Sequence, residues 1–200
     1  MKPHTTLVSF LALTPSVFLP LTANTGSAPP NTIFEEIDGT LTVEAEHFRS
    51  QTKNDIRSWH IVTETKEPKV TPDGDPNHAA TASGKSYLEI LPDTRRSHGD
   101  KLIHGENFTN TPGKVGILTY KAYFNNPGRY YCWVRTYSTN TEDNGIHLGI
   151  NGTWPESGRR MQWTAKNKWH WDSKQRTAKV HVGVFGQIWI DVPKPGLHDI

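Results

Sequence analysis

The feature that most constrains this chain is a two-residue alternation of side chains from Ile37 onward, punctuated every few residues by Gly, Pro and Asn. Period two is the signature of a half-buried strand, because successive side chains leave opposite faces of a pleated backbone. Leu118, Tyr120, Ala122 and Phe124 fall on one face of a strand, and Tyr130, Cys132, Val134 and Thr136 on one face of the next. Between them Asn125-Asn126-Pro127-Gly128 supplies a turn, since Pro fixes φ and Gly accepts the positive φ that closes it. Further strands are expected at residues 146–150, 179–184 and 188–192, with turn chemistry at Asn151-Gly152 and at 193–196. No amphipathic helix and no internal repeat competes with this pattern. Many short strands joined by such turns predict an all-β fold, a β-sandwich or jelly roll.

Composition sharpens what that fold has to do. Two hundred residues make one domain or a small domain with tails. Apolar residues are 34% and mean hydropathy is −0.64, which excludes an integral membrane protein. An aromatic content of 10% argues against disorder, because rings supply the large buried areas that a disordered chain lacks. The net charge of +2 gives no global field to favour nucleic acid. A single cysteine cannot form an internal disulfide, and Cys132, inward on its strand, reads as a small core hydrophobe. Seven Trp are more than such a chain needs for a core.

The N-terminus reads as an export segment. A weakly basic head precedes an apolar run at residues 7–21, too short and too interrupted by Pro15 and Pro20 for a membrane span. Small residues follow, with cleavage expected after Ala23 or Ala28. Residues 1–28 are therefore read as signal peptide and the start of a linker, 29–36 as linker, and 37–200 as the folded unit. Export places the protein outside the cytoplasm: secreted, at the cell surface or in a periplasm.

Three strings in this unit resemble one family. Thr42-Val43-Glu44-Ala45-Glu46-His47-Phe48 is similar to the opening strand of carbohydrate-binding module family 6 and its galactose-binding-like relatives. Pro127-Gly128-Arg129-Tyr130-Tyr131-Cys132-Trp133-Val134-Arg135 resembles that group's strand ending in Arg, and the segment from Ile190 to His198 its late turn. The resemblance covers about residues 37 to 200 and implies a galactose-binding-like β-sandwich that binds polysaccharide as an accessory domain of a longer, multidomain secreted protein. It also implies a strand after Ile200, so the C-terminal strand is expected to be missing here.

Four groups of residues are candidates for function. Glu44 and Glu46, two apart on a strand, would project from one face about 7 Å apart. Convergent carboxylates suit Ca²⁺, and the resemblance implies a structural calcium site; a solvated acidic face is the alternative. If Tyr130, Cys132 and Val134 face inward, Tyr131, Trp133, Arg135 and Tyr137 face outward, and the same alternation turns His147, His181 and Trp189 outward. Rings with an Arg suit a sugar, whose C–H faces stack on π-faces while polar neighbours bond the hydroxyls; an outer face packed under loops or a neighbouring domain is the competing reading. Trp169 and Trp171 flank His170 where the resembled family carries a paired-Trp element, one ring for sugar and one for the core. Their closer spacing leaves open which ring does which. Finally Arg95, Arg96, His98 and Lys101 in one loop and Arg159 and Arg160 in another form basic clusters, whose planar Arg forks fit sulfate or carboxylate, while Asn144 and the loop 73–75 offer hydroxyl partners. The long loops 66–84 and 92–113 are where ligand contacts are expected.

The expectation is a non-catalytic module that binds polysaccharide, anionic or sulfated by its loop arginines, and holds an attached enzyme near its glycan. A polysaccharide lyase or glycoside hydrolase on a jelly roll and a structural spacer of a cell-surface protein are the competing classes. No zinc motif of the His-Glu-x-x-His type, nucleophile elbow or Gly-rich phosphate loop is present.

Overall fold

The computed structural model describes residues 31–142 and 144–200, so the export segment at residues 7–21 lies outside the described residues. The fold is all-β, with 3-10 turns as its helical elements among the described residues. The strands are β1 (Ile33–Glu35), β2 (Ser50–Thr52), β3 (Ser58–Thr63), β4 (Ser86–Leu91), β5 (Ile117–Thr119), β6 (Lys121–Phe124) and β7 (Gly128–Tyr131). They continue as β8 (Val134–Thr136), β9 (Gly145–Ile146), β10 (Met161–Gln162), β11 (His170–Asp172), β12 (Trp189–Val192) and β13 (Gly196–Asp199). No helix among the described residues is long and apolar enough to cross a membrane.

One three-stranded sheet has the order β1-β6-β13, parallel between β1 and β6 and antiparallel between β6 and β13. The other strands pair in antiparallel twos: β2 with β5, β3 with β4, β7 with β12, β8 with β11 and β9 with β10. Inward side chains of β6 and β12 meet in one cluster of Ala122, Phe124, Ile190 and Val192, joined by Ile150 and flanked by Leu41, Tyr130 and Ile200. The expected alternation of β6 is thus realised at Ala122 and Phe124, both fully buried, with Tyr123 exposed between them.

Several expectations change. Residues 33–36, read as linker, belong to the fold: β1 adds to β6, and Glu36 is fully buried. Its carboxylate accepts from the amides of Gly39 at 2.5 Å, Asn125 at 2.9 Å and Asn126 at 3.0 Å. Those amides, Gly39 first, hold the Glu36 carboxyl below the usual carboxylate range. A carboxylate from the supposed linker therefore organises the Asn125–Gly128 turn that the sequence announced. At this sheet β13 lies on the other side of β6, and Tyr120 and Ile200 exchange both backbone hydrogen bonds at 2.8 and 3.0 Å.

The strand expected at 179–184 is a turn. Gly183 takes φ +86° and its amide bonds the Val180 carbonyl at 3.2 Å, while the Val180 amide is taken by the Thr177 hydroxyl at 3.0 Å. Local hydrogen bonds outcompete a ladder here, and Val182 is left exposed. Conversely β3 and β4, six residues each, escaped the alternation because both of their faces are covered. Trp59, Ile61, Leu88 and Ile90 share one face, and Val62 and Leu91 are buried on the other.

Candidate functional site

The antiparallel register of β8 and β11 sets Trp171 opposite Arg135 and His170 opposite Thr136. With a period of two, Trp171 and Arg135 share one face, and one step further along Trp169 meets Tyr137, their ring centroids 5.4 Å apart and edge to face. The opposite face is buried and polar. Asp172 there accepts from the amides of Ser173 and Lys174 at 2.8 and 3.1 Å and from Lys174 Nζ at 3.0 Å. That network fixes which face of β11 looks inward, and so commits both Trp169 and Trp171 to the other.

The same face runs on along β7 and β12. Tyr131 lies opposite Trp189, ring to ring at 6.1 Å, and the Arg129 guanidinium caps Trp189 at 4.6 Å while pairing with Asp191 at 3.0 Å. Trp133 stands between these pairs, 4.9 Å from Phe185, over which Lys174 Nζ sits at 5.6 Å. Four rings of this row are open to solvent: Tyr131 is 57% exposed, Trp133 45%, Trp171 59% and Phe185 52%. From Tyr131 to Tyr137 the row extends about 20 Å, at roughly 3.3 Å per residue.

At its far end the row closes into a tighter group. Tyr137 stacks on His78 at 3.8 Å, Tyr87 meets Trp169 at 5.8 Å, and Arg135 lies over the Trp169 ring at 5.1 Å. Trp169 Nε1 donates to Thr81 Oγ1 at 3.2 Å, so this indole is positioned by the 3-10 turn Ala79–Thr81. Burial pushes the His78 imidazole below and the Tyr87 phenol above their ordinary values. Glu89, on the same face of β4 as Tyr87, is pushed up to about 8, first by burial and then by Asp73, Asp75, Asp93 and Glu67. Its carboxyl has no hydrogen-bond or ion-pair partner among the described residues, so this corner carries a neutral acid at neutral pH.

The candidate residues therefore divide. Trp133, Arg135, Tyr137, Trp169 and Trp171 come together. Arg95 and Arg96 do not join them: Arg95 pairs with Glu142, as does His98 at 3.1 Å, and Arg96 donates to the Gly74 carbonyl at 3.0 Å. Both arginines staple loops to one another, Arg95 through Nε and Nη1 and Arg96 through Nη1. Asn144 spends its side-chain amide locally, donating to the Thr141 carbonyl at 2.8 Å, while its backbone carbonyl accepts from the Trp163 amide at 3.0 Å. His147, expected outward, donates from Nε2 to the Thr109 carbonyl at 3.2 Å and accepts at Nδ1 from the Arg160 amide at 3.0 Å.

Glu44 and Glu46 do not lie on a strand, because Ala45–His47 is a 3-10 turn. Glu44 is exposed, whereas Glu46 is half-buried and accepts from Ser86 Oγ at 3.0 Å, with burial raising its carboxyl. The intervening Ala45 carbonyl is already taken by the Tyr120 hydroxyl at 2.8 Å. Among the described residues no group of three or more His, Cys, Asp or Glu is placed to hold a metal ion. Two carboxylates are fewer than the six to eight oxygens that calcium takes, so a site at Glu44 and Glu46 would have to draw its other ligands from loop carbonyls, amide oxygens or water. Burial pushes the Cys132 thiol up to about 12, which removes it as a nucleophile at neutral pH.

His78, Tyr87, Glu89 and Phe185 were not legible as site residues. The one signal for the second and third is the run Ser86-Tyr87-Leu88-Glu89-Ile90-Leu91, whose alternate positions put Tyr and Glu on one face of a strand.

No family model and no solved structure matches the chain. It is similar, at 53% identity over 171 residues, to a protein of Formosa agariphila described as "Uncharacterized protein P23". The match covers 85% of this chain and 41% of that protein's length.

Proposed function

We propose that this chain is a non-catalytic polysaccharide-binding domain of an exported, multidomain protein, with a galactose-binding-like jelly roll as its fold. The observation that carries the reading is the shared face of Trp133, Arg135, Tyr137, Trp169 and Trp171, continued by Tyr131 and Phe185. Flat exposed rings in a row suit the C–H faces of consecutive sugar rings, and Arg135, Arg129 and the neutral Glu89 acid stand beside them to bond hydroxyls or an anionic substituent. An open face desolvates few polar groups, which sets affinity on the order of 10 μM to 1 mM. The greater length of the relative supports a further domain for which such a module would supply proximity to substrate.

A second reading has one observation in its favour. Tyr137, His78 and Tyr87 gather about Trp169 at one end of the row, with Arg135 over that indole and Glu89 on the Tyr87 face of β4, the residue types of an acid/base site that acts on an anionic sugar. Affinity electrophoresis of the chain in gels containing plant and algal polysaccharides separates the readings. Retardation with no release of reducing or unsaturated ends is the expected result. Product release would replace the module with an enzyme, and migration unchanged by every glycan would refute carbohydrate recognition.

A further inference from the structure

A cavity of about 270 Å³ lies apart from the ring face, lined by Arg159, Arg160, Arg176, Glu156, Gln175 and Asn110. Its charges are unbalanced. Glu156 is held by Arg159 at 3.1 Å, which leaves Arg160 and Arg176 with no carboxylate partner among the described residues. Burial, and then the neighbouring Arg176, lower the Arg160 guanidinium from its ordinary value, as expected for two like charges brought together without a counter-ion.

The arrangement is also built. Arg160 adopts φ +54°, a left-handed conformation that is unfavourable for a non-glycine residue and persists only where neighbours over-determine it. Here both of its backbone groups are fixed. Its amide donates to His147 Nδ1 at 3.0 Å and its carbonyl accepts from the Arg176 amide at 3.0 Å, so the backbones that carry the two guanidinium groups are tied together. His147 can accept that bond only when neutral, and burial lowers its imidazole accordingly. The Arg160 guanidinium lies 5.8 Å from the Phe108 ring centre, which occupies its flat face and leaves its N–H edge free. Arg176 donates to His181 Nδ1 at 2.6 Å and keeps its remaining donors.

We propose that this cavity is a binding site for a tetrahedral oxyanion, a sulfate or phosphate group, clamped between Arg160 and Arg176. Two guanidinium forks match such a group with paired, charge-assisted hydrogen bonds, while Asn110 supplies a neutral donor at the rim; the Gln175 amide is held by the Glu156 and Arg159 carbonyls and braces the wall. At about 30 Å³ per water-sized group, the cavity holds the anion together with part of a ring that carries it. The site shares no residue with the aromatic face and stands whether or not that face binds sugar.

The test compares melting temperatures of wild type, Arg176→Gln and Arg176→Lys in sodium sulfate, sodium phosphate and chloride at matched ionic strength. Wild type is expected to melt roughly 2–4 °C higher in sulfate or phosphate than in chloride. Arg176→Gln should lose that response while melting normally in chloride, and Arg176→Lys should keep part of it. No excess over chloride in wild type, or an excess undiminished in Arg176→Gln, overturns the proposal. A second arm uses affinity electrophoresis with a sulfated galactan and its desulfated counterpart. Stronger retardation by the sulfated polymer, weakened at least tenfold in Arg176→Gln, assigns the anion to a glycan ester. Equal migration in both gels, with the salt response intact, assigns it to a free anion.

Discussion

Replacing Glu89 by Gln tests the electrostatics of the corner where the aromatic row ends. The carboxyl sits on β4 between Tyr87 and Leu91, across from His60 on β3, under a loop that carries Asp73 and Asp75 and beside Asp93 and Glu67. In the unfolded chain it titrates at its ordinary 4.5, whereas in the fold it is pushed up to about 8. Between those values the folded chain holds the proton and the unfolded chain releases it. The contribution of this group to stability therefore falls as pH rises through the window, and the full cost is present above about pH 8. The displacement sets an upper bound of about 5 kcal/mol. Solvent reaches part of the carboxyl, and screening reduces this to about 2 kcal/mol. Glu89→Gln keeps the shape and removes the ionisation. For a chain of this size it should melt roughly 4–8 °C above wild type at pH 9 and within about 1 °C of it at pH 4.5. Paired thermal melts across pH 4.5–9 measure the difference, in which all other titrations cancel. A difference that stays flat with pH, or a variant that melts below wild type at pH 9, would refute the reasoning.

Trp171→Ala and Trp133→Ala, at exposed rings, should each weaken glycan retardation about 5- to 20-fold and leave the melting temperature within about 2 °C, whereas Trp169→Ala, wedged among Tyr87, Tyr137 and Thr81, should lower both. Glu36→Gln should lower the melting temperature at neutral pH by roughly 5 °C or more, since one carboxylate bonds three amides; because that carboxyl is held low, wild type should lose this advantage as pH falls below 4.5, as acid melts would record. Millimolar calcium should leave the melting temperature within about 1 °C, and a larger rise would mean that oxygens beyond Glu44 and Glu46 complete a cage.

How much was legible depends on where the deciding contacts lie in the chain. The period-two face of residues 118–136 carried through to buried Ala122 and Phe124 and to exposed Tyr131 and Trp133, because a strand's alternation is a local property of its backbone. The Asn125–Gly128 turn was legible for the same reason. Glu36 was not, since its three amides lie three and about ninety residues away. The Glu44–Glu46 pair failed at the level of local conformation: an acidic pair reads alike on a strand and on a 3-10 turn, and only the surroundings choose. Arg95 and Arg96 were right as residue types that seek oxyanions, but the oxyanion and carbonyl they found belong to Glu142 and Gly74 of this same chain.

The seven Trp divide along this line. By itself the sequence determined an all-β chain with rings in excess of a core, and placed Trp133 on an outward strand position. Only the tertiary structure decided the rest. Trp163 is buried, Trp59 donates to the Gly116 carbonyl at 2.8 Å, and Trp154 packs against Gly113 and Gly149, so three of the seven are structural. Trp169 and Trp171 joined Trp133 on one face because β11 pairs with β8, some forty residues away in sequence, in a register that sets Trp171 opposite Arg135. Alternation says which side chains share a face of a strand; pairing between distant segments says which faces become one surface.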